Sequence, residues 1–418
     1  MTSPSPSDPC AAPGGLLTVD EARARLLDLA RPVGGVEQLA IRSALGRVLA
    51  EPVISTLDVP PYVNSAMDGY AVRGADLPVE GEVRLRLVGK AMAGAPSDRA
   101  VGEGECIRIM TGAMMPEGAD TVLMQEAVKV EEETVVVGPG HQPGENVRHK
   151  GEDMAIGDCV LEPGRRLLPA DIGLLASLGI PEVRVHRRLR VAFFSTGDEL
   201  VPLGRPLAPG QIYDSNRYTL HAMLTRLGVV LLDMGIIPDD REAVRAAFHD
   251  AMTQADVVMT SGGVSVGEAD YVKQTLDELG KVDFWRMKMK PGKPLAAGRL
   301  GDALFFGLPG NPVSVMATFY QFVQPALLRM AGALPEEPLI LKVRAAERLK
   351  KSPGRLEYQR GRLRRGADGE WEVVSTGRQG SHVLTSMSRA DCFIILPAES
   401  GDVAAGETVE VQPFAGLV

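Results

Sequence analysis

The residues best suited to chemistry gather at three Gly- or Pro-rich junctions, each of which follows a run of strand-forming residues. Residues 191–195 lead into Thr196-Gly197-Asp198-Glu199, and residues 303–308 into Pro309-Gly310-Asn311-Pro312. Between them, residues 256–260 lead into Ser261-Gly262-Gly263-Val264-Ser265-Val266-Gly267-Glu268-Ala269-Asp270. In an open α/β sheet such loops converge at the carboxyl ends of the strands, where ligands bind. Glycine lets a backbone approach a ligand closely, and the N–H groups opening a helix favour an anion. The same loops carry Asp198, Glu199, Glu268 and Asp270, while Asp239 and Asp240 fall at a further strand end. Three carboxylates on one rim would repel one another unless a hard cation held them. With no His or Cys clustered nearby, the expected ion is Mg2+. Taken singly, each of these acids also reads as a helix cap or turn residue, Asp270 before residue 271 above all.

An anion needs positive charge, and residues 284–294 (FWRMKMKPGKP) supply it. As one strand this stretch sets Arg286, Lys288 and Lys290 on one face and Met287 and Met289 on the other. It then enters a Pro-Gly-Lys-Pro turn that restrains Lys290 and Lys293. A lysine about 4 Å from an anionic charge contributes roughly 4 kcal/mol at an effective dielectric of 20. The plain alternative is an edge strand guarded by lysines.

Other chemistries find no support. Gly262 and Gly267 have the spacing of a nucleoside-triphosphate loop, but Glu268 stands where that motif needs lysine, and the dinucleotide G-x-G-x-x-G is absent from this loop. The six histidines show no HExxH spacing and there is no G-x-S-x-G elbow. Cys10, Cys106, Cys159 and Cys392 are scattered without CxxC spacing, so neither zinc nor a disulfide framework is indicated and reduced thiols in the cytoplasm are expected. A net charge of −9 argues against nucleic acid as the main partner, and no apolar run is long enough to span a membrane.

The elements that would position these residues imply several domains, since 418 residues exceed one core. Residues 1–15 read as a disordered Ser/Pro/Gly tail. Thr18 and Glu21 form a capping box for a helix that Pro32 ends, and a short second helix is expected after Ser43. Runs at 83–88, 106–109, 121–125 and 134–137 read as strands of a small β domain, 57–148, inserted into an elongated N-terminal domain made of 16–56 and 149–184. Helical character returns at 169–178, with Gly179 as its stop. Helices at 218–227, 241–253, 271–279 and 313–330 alternate with strands, which predicts a mostly parallel α/β domain over 185–333. Strand-like runs at 339–346, 357–363, 371–375, 392–396 and 408–412 predict a C-terminal β domain, 334–418.

Six stretches carry a family resemblance. Residues 64–72 (NSAMDGYAV), 108–113 (RIMTGA), 195–200 (STGDEL), 261–271 (SGGVSVGEADY), 290–294 (KPGKP) and 308–314 (LPGNPVS) resemble the signatures of the MoeA family of molybdopterin molybdenumtransferases, to which the gephyrin E domain is related. The likeness runs from about residue 16 to the C-terminus. It implies insertion of molybdate into adenylylated molybdopterin, with Mg2+-dependent hydrolysis of the adenylate to AMP, by an elongated homodimer of four-domain subunits. It further implies that Asp239 and Asp270 hold the Mg2+–phosphate end with Glu199 close by, and that Lys290 lies near the anions. Arg286 stands where some relatives have lysine. Arg360 and Ser381 match molybdate-binding positions; Asp68 and Thr111 match functional positions on the β insertion, joined by Arg148 and Asp153. Gly262, Gly263, Ser265, Lys293, Pro309, Gly310, Asn311 and Pro312 complete the expected substrate contacts. The adenylyltransferase that makes the substrate and molybdoenzyme maturation factors are the partners implied. A molybdopterin adenylyltransferase, a pyridine-nucleotide hydrolase and a non-catalytic scaffold are the competing readings. The first two would lack the regions around Asp68 and Arg360, and the intact acidic rim argues against the third.

Overall fold

The computed structural model describes residues 16–262 and 271–417. The expected tail and the loop carrying Gly263, Ser265 and Asp270 lie outside the described residues. By backbone contacts the chain divides into two compact units, one containing 38–45 and 51–183, the other 16–37, 46–50 and everything from Arg184 onward.

The larger unit is built on a six-stranded sheet. Its strands run in the order Val230–Ile237, Arg190–Thr196, Val257–Ser261, Ala303–Leu308, Pro294–Leu300 and Gly280–Arg286. The first four are mutually parallel; Pro294–Leu300 runs against them and pairs antiparallel with both Ala303–Leu308 and Gly280–Arg286. The central strands are apolar along most of their length because both faces are covered, as parallel sheets require, and their buried Ser and Thr residues gather at the carboxyl ends. One face carries Phe193, Met259 and Phe306 beneath the helix Ser215–Leu227. The other carries Phe194, Val258 and Phe305 beneath Arg241–Gln254 and Tyr271–Leu279, with Phe248 edge-on to Phe194 at 5.1 Å. All the loops after the parallel strands therefore leave from one edge.

Five C-terminal strands (Leu341–Ala345, Leu356–Arg365, Trp371–Ser375, Cys392–Leu396 and Thr408–Pro413) close on themselves, because Leu356–Arg365 pairs with both Trp371–Ser375 and Cys392–Leu396. The result is a small barrel filled by Val343, Val373, Ile394 and Val411.

The helix Val19–Leu29 has the foreseen Thr18–Glu21 capping box, and its Val19, Ala22 and Leu26 bury against the α/β core. Three expectations need correction. No helix follows Ser43; a single 3-10 turn, Ile41–Ser43, ends there instead, and Gly46 soon takes φ 73°. The helix expected as one piece over 313–330 is Pro312–Thr318, a π segment Phe319–Val323, and Gln324–Met330. Pro325 has no amide hydrogen to continue the α ladder, and Arg23 Nε donates to the Gln321 carbonyl at 3.3 Å. Finally, the basic stretch is not one strand. It leaves the α/β sheet after Arg286, and Met289–Lys290 joins the barrel in parallel with Leu356 and Glu357. The alternation survives the switch: Met287 and Met289 are fully buried, Lys288 and Lys290 exposed.

The smaller unit holds a second six-stranded sheet, in the order Thr121–Met124, Gly69–Val72, Glu105–Ile109, Val83–Ala91, Thr134–Val137 and Lys129–Glu131. Gly69 is required there, since a Cβ would sit 1.9 Å from the Leu123 carbonyl oxygen. The helix Pro169–Ser177 follows, with Gly179 at φ 66° beyond its end.

Candidate active site

The acidic rim forms where the parallel strands end. Asp198 and Glu199 follow Arg190–Thr196, and Asp239 follows Val230–Ile237. The Asp239 amide donates to Asp198 Oδ1 at 3.2 Å, which draws the two loops together. Asp239 titrates above the usual carboxylate range although its tip reaches water; partial burial is the main cause, with the charges of Asp198 and then Glu199 adding to it. Asp240 serves the fold, capping Arg241–Gln254 through the Ala243 amide at 2.9 Å. Gly262 closes the rim: at φ 91° its added Cβ would stand 2.9 Å from the Thr196 carbonyl oxygen. Among the described residues no three His, Cys, Asp or Glu side chains are grouped so as to hold a metal ion.

Gly262 also lines a cavity of about 510 Å³ between the sheet edge and the barrel. The KPGKP turn forms one wall with Lys290 and Lys293, Pro309, Gly310 and Asn311 form another, and Gln379, Gly380 and Ser381 a third. Pro312 starts the helix that leaves this wall, and the Val313 amide donates to the Ser381 carbonyl at 3.1 Å. Lys290 Nζ donates to the buried Glu357 carboxylate at 2.9 Å, and Gln359 Nε2 donates to the other Glu357 oxygen at 2.9 Å. That ion pair sets the lysine's direction. Arg355, which sequence reasoning missed, adds an exposed guanidinium to the lining. Arg286 lies outside the lining, half-buried and paired across the strand with Pro294.

Arg360 is placed otherwise than a direct molybdate contact would need. It is 1 % exposed and sits behind the cavity wall, where Nε donates to Ser386 Oγ at 3.0 Å and a terminal nitrogen to the Gly380 carbonyl at 3.2 Å. Burial pulls its guanidinium down to about 10, opposed by the Glu357 charge. Gln379 locks the same strand, accepting from the Arg360 amide at 2.8 Å and donating to its carbonyl at 3.1 Å. Arg360 thus shapes the loop that presents Ser381.

In the smaller unit Asp68 and Thr111 meet, a pairing that sequence reasoning did not foresee. Asp68 Oδ1 accepts from both the amide and the hydroxyl of Thr111, each at 2.7 Å. Those two donors, the amide foremost, hold the Asp68 carboxyl below its ordinary range. Arg108 donates to the Gly69 carbonyl at 3.1 Å and to Gln125, and lies 5.0 Å over the Tyr70 ring. Arg148 is exposed on the short strand Val147–Arg148, opposite Asn64, and Asp153 is exposed with its amide bonded to the Val59 carbonyl. No contact links either of them to the Asp68–Thr111 pair among the described bonds.

Sequence reasoning also missed Asp214 and Asn216. It began the helix at 218, whereas the helix is Ser215–Leu227 with Asp214 as its cap, accepting from the Arg217 amide at 3.1 Å. An Asp-Ser-Asn triplet before a helical run was the available signal.

An open, mostly parallel sheet with an acidic rim and a lysine-walled cavity at one edge has the architecture of an α/β binding fold, in which ligands sit at the carboxyl ends of the strands. Comparison with known proteins gives the family. Residues 17–179 match the model of the MoeA N-terminal region (domain I and II), 192–329 that of a probable molybdopterin binding domain, and 342–414 that of the MoeA C-terminal region (domain IV). The chain is 46 % identical to the molybdopterin molybdenumtransferase of Haemophilus influenzae, over 96 % of this chain and 100 % of that one. It is 41 % identical to the protein of the same name from a Nostoc species, over 88 % and 86 %. The crystal structure of the molybdopterin biosynthesis moeA protein of Pyrococcus horikoshii superposes with a TM-score of 0.82 at 29 % identity, covering 96 % of this chain and 100 % of that one. The chain belongs to the molybdopterin molybdenumtransferase (MoeA) family. Matches at both ends, outside the molybdopterin binding domain, separate it from proteins made of that domain alone.

Proposed function

We propose that the chain inserts molybdenum from molybdate into adenylylated molybdopterin, hydrolysing the adenylate to AMP as a transferase of molybdenum cofactor biosynthesis. The observation that carries this reading is the junction at Gly262, where a carboxylate rim and a lysine-walled cavity share one residue. A phosphoanhydride bound across it would meet cations on its oxygens at one end and acids able to hold a metal at the other. Such cleavage needs charge stabilisation and positioning more than covalent chemistry.

Mg2+ fits the rim by chemistry: the donors are carboxylate oxygens alone, and the partial burial that raises Asp239, with the charges of Asp198 and Glu199 adding to it, is what a divalent ion would offset. Asp239 and Glu199, with Asp270, would hold it. Bound there, the ion would neutralise charge on the phosphate. Lys290, steadied by Glu357, and Lys293 would orient the anion, while Ser381 and the loop braced by Arg360 would bind molybdate. Asp68 with Thr111 would complete the site from a second copy of the chain in a homodimer. The adenylyltransferase that makes the substrate and molybdoenzyme maturation factors would be the further partners. The reaction is assigned to the cytoplasm; no helix among the described residues is long and apolar enough to cross a membrane.

The test is AMP release from adenylylated molybdopterin with and without molybdate, in Mg2+ and in EDTA. Molybdate- and Mg2+-dependent AMP release is expected. An enzyme that makes the adenylate from ATP, or one that releases no AMP, overturns the reading.

A further inference from the structure

Three buried polar atoms around the start of the helix Ser215–Leu227 have no hydrogen-bond partner: Asp214 Oδ2, Asn216 Oδ1 and Ser195 Oγ. Asp214 is 4 % exposed and Ser195 1 %. Folded proteins pair nearly all such atoms, so three around one helix start call for an explanation. The bonds that these residues do make fix what is left over. Asp214 spends Oδ1 on the helix cap, which leaves Oδ2. Asn216 Nδ2 donates to the Gly310 carbonyl at 2.7 Å and to Ser261 Oγ at 2.9 Å. A carbonyl can only accept, so the amide orientation is determined and Oδ1 must look elsewhere.

Strand register puts the serine on the same side. Ser195 lies opposite Ser261 and two residues beyond Phe193, whose side chain packs on the face that this helix covers. Thr260 Oγ1 is also unpartnered, but Thr260 pairs with Phe194, which packs on the other face, and so stands apart. Gly310, held by Asn216, belongs to the cavity lining. The cluster therefore adjoins the cavity from the sheet side.

A carboxylate oxygen and an amide oxygen are acceptors, and they repel phosphate. They call for N–H donors, with a hydroxyl beside them able to give or take. Adjacent N–H donors next to a ring carbonyl are what the 2-amino-4-oxo edge of a pterin presents. Resting on the reading that molybdopterin is the substrate, we infer that Asp214 Oδ2, Asn216 Oδ1 and Ser195 Oγ form the subsite that recognises this edge of the ring.

Titration of 6-hydroxymethylpterin, followed by its own fluorescence, against the full chain tests this, with AMP titrated in parallel. Asp214→Asn keeps the helix capped, since asparagine caps as well as aspartate, yet removes the acidic acceptor. It should weaken pterin binding at least tenfold and leave AMP binding within twofold. In turnover it should raise KM for adenylylated molybdopterin and keep kcat within threefold, the mark of a group that binds ground and transition states alike. Ser195→Ala, a small truncation of a hydroxyl with no partner, should fold and weaken the pterin several-fold. The inference is overturned by unchanged pterin affinity in both variants, by equal losses for AMP, by wild-type protein that binds no pterin, or by a pterin loss that excess Mg2+ reverses, which marks a cation site. Wild-type protein that binds the pterin through these residues but releases no AMP would instead overturn only the proposed reaction.

Discussion

Asp239 and Asp68 are two carboxylates in two different units, and their surroundings push them in opposite directions. Asp68 has two donors from Thr111 aimed at one oxygen and is held in its charged form. Asp239 is partly withdrawn from water beside Asp198 and Glu199, and its charged form is disfavoured. The first is a finished arrangement, with its partner built in. The second has no such partner for its charge among the described residues, which is why a cation is proposed there. A carboxylate already satisfied by neighbours suits orienting a ligand; one left in conflict suits binding a metal.

The largest test of this contrast is complementation. Protein carrying Asp68→Asn alone and protein carrying Asp239→Asn alone should each be nearly inactive in AMP release. If the two residues meet only across a dimer, a mixed dimer purified through two different tags should regain about half the wild-type activity, because one of its two sites carries neither change. A mixed dimer as inactive as its parents would show that each chain builds its own site.

Next in size, Asp239→Asn should lower turnover at least tenfold, about 1.4 kcal/mol of transition-state stabilisation. Its melting temperature at pH 7 should nonetheless hold or rise, by roughly 1 °C at most for a group so exposed. Loss of activity together with loss of stability would mean that the rim is structural. The pH dependence has a definite sign. The folded pKa is raised, so the cost of the charge is present above that value and fades as pH falls through it towards the ordinary 3.8; any gain from asparagine should fade over the same window.

Asp68→Asn should behave in reverse. The folded pKa is lowered, so its stabilisation is complete above 3.8 and is lost as pH falls below that towards the folded value. Melting curves of wild type and variant should differ near neutrality and converge in acid. Thr111→Val should reproduce most of the change, and the double variant should add little to either single one, since all remove one interaction. Smallest of all, Glu357→Gln should release Lys290 and raise KM a few-fold with kcat nearly unchanged, measured by steady-state AMP release. A collapse of kcat would mean that the ion pair does more than orient.

Much of this was legible in the sequence. The central strands announced themselves because a sheet covered on both faces must have strands apolar along most of their length, and the rim followed from acids placed just after those strands. Asp68 and Thr111 were each identified only by family likeness, and their pairing was not foreseen, because the two residues lie far apart in sequence and meet through sheet pairing. Arg360 was singled out by family likeness as a molybdate-binding position; only the packing revealed that loop carbonyls and a serine satisfy it inside the barrel wall. Asp214 was hidden by placing a helix start three residues late, an error that erased the cap. The π segment at Phe319–Val323 follows from Pro325, a visible residue whose consequence depends on Arg23, some three hundred positions earlier in the chain.

The basic stretch that changes sheets has a mechanical consequence. Its first half is stitched to the α/β sheet and its second half to the barrel, with the Leu356 amide bonded to the Lys288 carbonyl at 3.0 Å and the Met287 amide to the Lys293 carbonyl at 2.7 Å. The barrel cannot swing away from the sheet edge without tearing this seam, and the seam is also a wall of the cavity. Opening the two layers and dismantling that wall are therefore one event. The amides of Met287 and Leu356 should exchange with solvent together, at the rate of that shared opening, and a bound anion should slow both by the same factor.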